Sequence, residues 1–150
     1  MAALAGAGPV RAATETATVS VRVEVVSTCT ISDAELDFGT YVAGQSNPLD
    51  ATATLRVTDC PVGSVRVELD GGGSGNVKNR RLSDGRGNTL AYQIYTDPGM
   101  RQIAGTGRNG RSLSLGNDNS ARLTLYARIP GGQVVPEGTY TDTVQVTMSF

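Results

Sequence analysis

The clearest pattern in the chain is a strict alternation of apolar and polar residues in residues 18–27, TVSVRVEVVS. Val19, Val21, Val23 and Val25 fall on one side of an extended chain, and the intervening polar residues fall on the other. A period of two in β-branched residues predicts a β-strand. Such a strand can begin the protein's own sheet, or it can be added to the sheet of another molecule.

Short alternating runs recur along the rest of the chain and are separated by Gly, Asn, Asp and Pro. Long apolar runs with a helical period are missing from the sequence. The pattern therefore predicts an all-β sandwich. We expect its strands at residues 36–41, 52–58, 65–69, 90–96, 112–115, 121–129 and 140–150, with long loops at 71–88 and 100–120.

The predicted last strand carries Val144, Val146, Met148 and Phe150 on one face. No charge, proline or covering turn follows it in the sequence, although soluble proteins normally protect an exposed sheet edge in one of these ways. The pattern thus indicates a spare strand near one end of the sequence and an uncovered edge near the other.

Composition narrows the function classes. With 150 residues, the chain can form one domain with a substantial core. Its net charge of −1 and its lack of a basic face with interleaved aromatic residues argue against nucleic-acid binding. No apolar run approaches the roughly 20 residues that a membrane-spanning helix needs.

The sequence contains no histidine, which removes the commonest general base and metal ligand. The glycine-rich stretch 71–76 lacks the Lys-Ser/Thr pair of a phosphate-binding loop, so we interpret it as a hairpin loop. The acidic residues fall mostly in predicted turns. Asp118, between Asn117 and Asn119, is a candidate calcium ligand that we interpret as a turn residue. Arg80 and Arg81 are interpreted as a solvated or cross-strand charge pair. We expect no catalysis, no metal and no cofactor.

Residues 1–13 are small and mostly apolar, and they match the end of a secretory signal peptide, with a disordered Ala/Gly leader as the alternative. Export would oxidise Cys29 and Cys60 to one disulfide. Closing a loop of about 30 residues in this way stabilises a fold by about 3–4 kcal/mol. The alternative is two buried free thiols.

Three motifs together are more specific than this general pattern. They are the Cys29–Cys60 spacing, L-x-Y-x-I-Y-x-D at residues 90–97, and the closing G-x-Y-x-D-T-V-x-V-x-x-x-F at residues 138–150. Over residues 18–150 the chain resembles the spore coat protein U domain family. The best understood members of that family are subunits of archaic chaperone–usher pili.

The resemblance implies an incomplete immunoglobulin-like β-sandwich that lacks its final strand. A periplasmic chaperone is expected to fill the resulting groove first, and an outer-membrane usher then exchanges it for the N-terminal strand of the next subunit. This division gives a leader at 1–13, a donor strand at 14–27 and a pilin domain at 28–150. The implied donor residues are the four alternating valines, and the implied acceptor edge consists of Tyr140, Val144, Val146, Met148 and Phe150.

Only Ser27 and Thr28 separate the valine run from Cys29, so we expect this strand to extend away from its own domain. Head-to-tail contacts of this kind form an open filament. The predicted protein is an exported structural subunit of an extracellular fimbria that supports adhesion to a host or abiotic surface and biofilm formation. The alternatives are a secreted adhesin that binds through loops 71–88 and 100–120, and a spore-coat or capsule component.

Overall fold

The structure is a computed structural model that describes residues 12–150, so most of the predicted leader, residues 1–11, lies outside the described residues. The described chain forms nine β-strands and two short 3-10 turns, Gly72–Ser74 and Gly107–Asn109. The strands are β1 Thr30–Ile31, β2 Leu49–Thr58, β3 Ser64–Leu69, β4 Arg81–Ser83, β5 Thr89–Ala91, β6 Gln93–Tyr95, β7 Arg111–Ser114, β8 Ala121–Ile129 and β9 Val146–Ser149.

The strands build two antiparallel sheets and a separate hairpin. The larger sheet has the order β1-β2-β8-β6, the smaller has the order β7-β3-β9, and β4 pairs with β5. The longest pairing joins β2 to β8, from Leu49 opposite Ile129 to Val57 opposite Ala121. Both strands alternate apolar and polar residues over their whole length, which fixes their register against a buried face.

The core lies between the two sheets and is built from the inward-facing residues of each strand. In β3 every second residue is buried, and β8 shows the same alternation. The fully or nearly fully buried residues of the three central strands are Leu55, Val57, Val65, Val67, Leu69, Leu123, Leu125, Ala127 and Ile129. The predicted all-β sandwich is therefore confirmed.

Several predicted strands match closely, and β8 has the predicted bounds. The predicted strand at 90–96 is instead two strands that meet at Tyr92. The reason is that β5 pairs with β4 whereas β6 pairs with β8, so the chain changes partner between them. The strand β4 was not predicted, because residues 71–88 were interpreted as a loop.

Two further predictions were wrong in extent. Residues 36–41 alternate as predicted and are partly buried at Leu36, Phe38 and Tyr41, but they form no strand. Of residues 140–150, only Val146–Ser149 forms a continuous strand. Before it, Thr141 makes an isolated antiparallel bridge to Ser83, and the Asp70 and Asp142 carboxylates hold the rest of the segment.

Cys29 and Cys60 form a disulfide, so the free-thiol alternative is wrong. The bond joins the chain just before β1 to the turn after β2, and Cys60 is completely buried. In the part of the chain that the structure describes, no helix is long and apolar enough to cross a membrane.

Candidate functional site

The candidate site begins at β9, which lies at an edge of the smaller sheet. Its residues pair with β3 from Val146 opposite Leu69 to Ser149 opposite Arg66. Among residues 12–150, no strand pairs with the other side of β9. This side therefore presents main-chain N–H and C=O groups that can accept another strand.

The hydrogen-bond pattern identifies which residues face that open side. The N–H of Asp70 donates to the C=O of Gln145 at 3.0 Å, and the two residues continue the β3–β9 register. In an antiparallel pair, residues that bond to the partner strand alternate with residues that do not. It follows that the main-chain groups of Thr147 point toward β3, whereas those of Val146 and Met148 point toward the open edge.

The inward side of β9 and the chain before it carry an incompletely covered apolar surface. Val144, Val146 and Met148 pack against the core but are only partly buried, and Phe150 is 60% exposed. A further apolar strand added beside β9 would bury more of these side chains.

A second partly covered apolar surface belongs to β1, at an edge of the larger sheet, and to the chain that follows it. Ile31, Leu36 and Phe38 of this segment are also partly buried against the core. We call these two partly covered apolar surfaces together the acceptor groove, defined by Ile31, Leu36, Phe38, Val144, Val146 and Met148.

Asp142 fixes the chain where it approaches β9. Its carboxylate accepts hydrogen bonds from the Tyr92 hydroxyl at 2.6 Å, from the Gly73 N–H at 2.8 Å and from the Thr143 N–H at 3.0 Å. Gly72 has a positive φ of 66°, and a Cβ there would collide with the carboxylate. Glycine at this position therefore permits the close approach of Asp142.

Asp70 makes a second tie between the same two segments. Its carboxylate oxygen Oδ1 accepts hydrogen bonds from the Gly72 N–H and from the Gln145 N–H, both at 2.9 Å. The turn after β3 and the chain before β9 are therefore joined through two carboxylates. This arrangement holds the open edge in position although no strand covers it.

Arg80 lies under this region and is completely buried, so its interpretation as a solvated or cross-strand pair with Arg81 was wrong. Its guanidinium donates to the Asp70 C=O at 2.6 Å and to the Gln93 side-chain oxygen at 2.8 Å. Burial lowers the pKa of Arg80. Burial also raises the pKa of Tyr92 well above its usual range, with a further contribution from the hydrogen bond to Asp142.

The N-terminal segment, residues 12–28, is exposed and forms no strand or helix. Val19, Val21, Val23 and Val25 are 84%, 89%, 81% and 87% exposed, so these valines do not pack into their own domain. An exposed row of apolar side chains of this kind is typical of a surface that binds a partner.

The structure places the predicted site residues unevenly. Val144, Val146 and Met148 lie together in the groove, but Phe150 is mostly exposed and Tyr140 lies outside β9. The Tyr140 hydroxyl donates to the Pro136 C=O at 2.7 Å. The valine run is not brought to the groove of its own chain.

The sequence analysis did not identify the supporting residues Tyr92, Asp142 and Arg80. Tyr92 and Asp142 stand inside the two motifs at 90–97 and 138–150, which could have pointed to them. Arg80 has no comparable signal, because nothing distinguishes it from its neighbour before the fold is known.

The described residues give little support for a metal site. They contain no group of three or more acidic, cysteine or histidine side chains placed to bind a metal. The carboxylate of Asp118 accepts a hydrogen bond from the Ser120 N–H at 3.2 Å, which is a turn contact.

Solved structures with a similar fold include two pilus subunits. One is a chain of the CsuC–CsuE chaperone–tip adhesion subunit pre-assembly complex from the archaic chaperone–usher Csu pili of Acinetobacter baumannii, with a TM-score of 0.60 and 23% identity over 84% of this chain and 40% of that chain. The other is the P pilus rod subunit PapA, with a TM-score of 0.55 and 20% identity over 81% of this chain and 97% of that chain. The predicted immunoglobulin-like sandwich is confirmed by these likenesses.

Sequence comparison gives the family directly. The chain is 30% identical over 171 aligned positions to Protein U of Myxococcus xanthus, and the alignment covers 99% of this chain and 92% of that protein. Residues 15–147 match the Spore Coat Protein U domain. The predicted resemblance is confirmed, and the chain belongs to the spore coat protein U domain family.

Proposed function

We propose that this protein is a non-catalytic structural subunit that polymerises by strand donation into a fimbria of the chaperone–usher type. One observation carries the proposal. A row of four valines is at least 81% exposed on the N-terminal segment, while the acceptor groove of the same chain has an open strand edge and partly uncovered apolar walls. The valine row could fill the groove and pair with its open strand edge, and the groove could bury the valines.

The spacing of the two surfaces supports their pairing. Alternate residues of an antiparallel strand are about 6.8 Å apart, and this repeat applies equally to the valines and to Val144, Val146 and Met148. Fully burying four valines contributes about 6–10 kcal/mol before the cost of ordering the segment. New main-chain hydrogen bonds at the open side of Val146 and Met148 would add to this.

The connection to the domain supports donation to a neighbour. Thr28 donates a side-chain hydrogen bond to the Asp59 C=O, and the next residue is held by the disulfide to Cys60. The valine run therefore ends at a fixed point, and no glycine lies between it and Cys29. A strand donated from one copy to the next gives a head-to-tail contact that does not close on itself.

This assembly gives the expected partners and location. A subunit with an open groove needs a periplasmic chaperone to cover the groove before an outer-membrane usher exchanges that chaperone for the next subunit. The solved relatives include a chaperone–subunit complex and a pilus rod subunit, which supports this proposal. We further propose that the exported fibre serves adhesion to a host or abiotic surface and biofilm formation.

A second candidate function is a coat component. The description of the matching family, which names a spore coat protein, favours it. The same strand donation would operate there, and only the structure into which the subunits assemble would differ.

The proposal is tested by placing charge on the valine face. In cells that assemble the fibre, Val21→Asp with Val23→Asp should abolish multimers that resist heating in detergent, because two carboxylates cannot be buried in an apolar groove. The matched control is Thr18→Asp with Ser20→Asp, which adds the same charge to the opposite face and should leave the multimers unchanged. Normal assembly of the valine variant would show that the segment is not the donor strand.

A further inference from the structure

A cleft of about 450 Å³ lies away from the acceptor groove, between the turns that follow β3 and β6 and the start of β7. Four cationic side chains line it, and all four are exposed: Lys78, Arg101, Arg108 and Arg111. The whole chain has a net charge of −1, so this concentration of positive charge is a local feature.

The cations of the cleft form no salt bridge within the described chain. The salt bridges among residues 12–150 are Arg66–Glu68 and Arg128–Asp50, and neither includes a cation of the cleft. Two carboxylates lie near this cluster: Asp97 accepts hydrogen bonds from the backbone N–H groups of Arg101 and Gln102 at 2.8–3.1 Å, and Glu68 accepts one from the Gly107 N–H. Neither forms a salt bridge with a cation of the cleft, so the four cations remain available to a ligand.

The backbone that carries these cations is well fixed. The Gly107 N–H donates to the Glu68 carboxylate at 2.7 Å, and the Arg66 guanidinium donates to the Gly107 C=O. A Cβ at Gly105 would collide with Val77, so the two turns pack closely against each other. The guanidinium groups are therefore presented from a pre-formed frame, which lowers the entropic cost of binding.

The lining favours an anion that also carries hydroxyl groups. Arginine guanidinium groups bind carboxylates and phosphates through two parallel hydrogen bonds. Thr96, Gln102 and Asn109 also line the cleft, and their hydroxyl and amide groups can bond to the hydroxyls of a sugar. No aromatic side chain is among the described residues that line the cleft, so it lacks the stacking surface that binds nucleic-acid bases.

We propose that this cleft binds a carboxylate-bearing polysaccharide, one uronic-acid unit at a time. The inference extends the adhesive role of the proposed function and in that sense rests on it. In a fibre, repeated clefts would bind a long acidic polymer with high avidity even if each single contact were weak. Binding by one subunit needs no polymerisation, so the two proposals can fail separately.

The test measures binding of the full-length chain to a fluorescently labelled galacturonate oligosaccharide by anisotropy. We expect saturable binding that weakens as salt is raised, and no binding to a neutral galactose oligosaccharide of the same length. Arg101→Gln with Arg108→Gln should lower the affinity at least about tenfold. The matched control is Arg86→Gln with Arg122→Gln, which removes the same charge from exposed positions outside the cleft and should bind as the unaltered chain does.

Two further variants sharpen the result. Arg101→Lys with Arg108→Lys keeps the charge but loses the paired donors, so it should bind more weakly than the unaltered chain. The Val21→Asp, Val23→Asp variant should keep full single-chain binding, whether or not it still assembles. Equal losses in the cleft variant and in its control would overturn the proposal. Equal or tighter binding of a single-stranded oligonucleotide or an anionic lipid vesicle would also overturn it, because the cleft would then not select a carbohydrate.

Discussion

At the scale of single residues, Tyr92 and Asp142 hold the approach to the acceptor edge. The Tyr92 ring is buried, and it packs edge-on against Phe38 with ring centroids 6.2 Å apart. Its hydroxyl reaches the Asp142 carboxylate at 2.6 Å, so one side chain contacts both sides of the groove entrance. A buried phenol needs such a partner, because an unpaired hydroxyl in the core is costly.

Tyr92→Phe removes this hydrogen bond and keeps the aromatic contact. We expect the free energy of unfolding to fall by about 1.5–3 kcal/mol at neutral pH, because the bond is to a charged group. Urea denaturation followed by circular dichroism measures the change. Tyr95→Phe is the control, since Tyr95 is only partly buried and its hydroxyl makes no hydrogen bond to another described residue. An unchanged stability of Tyr92→Phe would mean that Asp142 is held well enough without it.

The same pair of residues predicts an alkaline response. The folded state raises the pKa of Tyr92, whereas a tyrosine in the unfolded chain titrates near pH 10. The stability gained from the neutral phenol is therefore complete below about pH 10 and is lost as the pH rises above it. The stability gap between the unaltered chain and Tyr92→Phe should accordingly narrow between pH 9 and pH 11. A gap that stays constant over this range would contradict the assignment.

At the scale of elements, the open side of β9 distinguishes two neighbouring residues. Met148 has its N–H on the open edge, whereas the N–H of Thr147 belongs to the ladder with β3. Proline is tolerated on an edge strand where the missing N–H faces solvent. Substitution with proline therefore separates the domain's own ladder from the ladder that a donor strand would add.

We expect the free energy of unfolding of Met148→Pro to lie within about 1 kcal/mol of that of Met148→Ala. Both variants lose the same side chain, and neither loses a hydrogen bond of the β3–β9 ladder. Fibre assembly by Met148→Pro should nevertheless fall well below that of Met148→Ala. The free energy of unfolding of Thr147→Pro should be about 2 kcal/mol lower than that of Thr147→Ala, because proline leaves a β3 carbonyl without its hydrogen-bond donor. If Met148→Pro assembles as well as Met148→Ala, the donor strand does not pair with this edge.

The sequence predicts the strands in which apolar and polar residues alternate over a long run. The central strands β2, β3 and β8 alternate over long runs and are buried on one face, so their positions follow from periodicity alone. The predictions are wrong where contacts between distant parts of the chain determine the local structure. The chain at Tyr92 changes strand partner, and the approach to β9 is held by the Asp70 and Asp142 carboxylates and a single bridge to Ser83 instead of a continuous ladder. The burial of Arg80 depends on carbonyl groups that come together only in the folded sandwich.

At the scale of the whole molecule, two apolar surfaces remain without a partner in the described chain. The acceptor groove is framed by β9 and by the chain around β1, and the valine row extends from the disulfide-bonded start of β1. The valines of the row are exposed and do not pack into the groove of their own chain. In the proposed assembly, both surfaces become buried when two copies pair, and the second copy keeps an open groove that lets the process repeat.

A chain that carries its own copy of the donor segment should therefore stop growing and become more stable. In this variant, a flexible Gly/Ser linker and a second copy of residues 18–27 follow Phe150, and the linker lets the added strand return antiparallel to β9. Burying four valines offers about 6–10 kcal/mol, of which ordering ten residues removes a large part, so we expect a net gain of a few kcal/mol in the free energy of unfolding. The same construction with aspartate at the positions of Val21 and Val23 in the added copy is the control and should gain nothing. Urea denaturation gives the stability, and gel filtration shows whether the chain stays monomeric. If the added valine strand gives no more stability than its aspartate control, the acceptor groove does not accept this segment, and the filament must form by another contact.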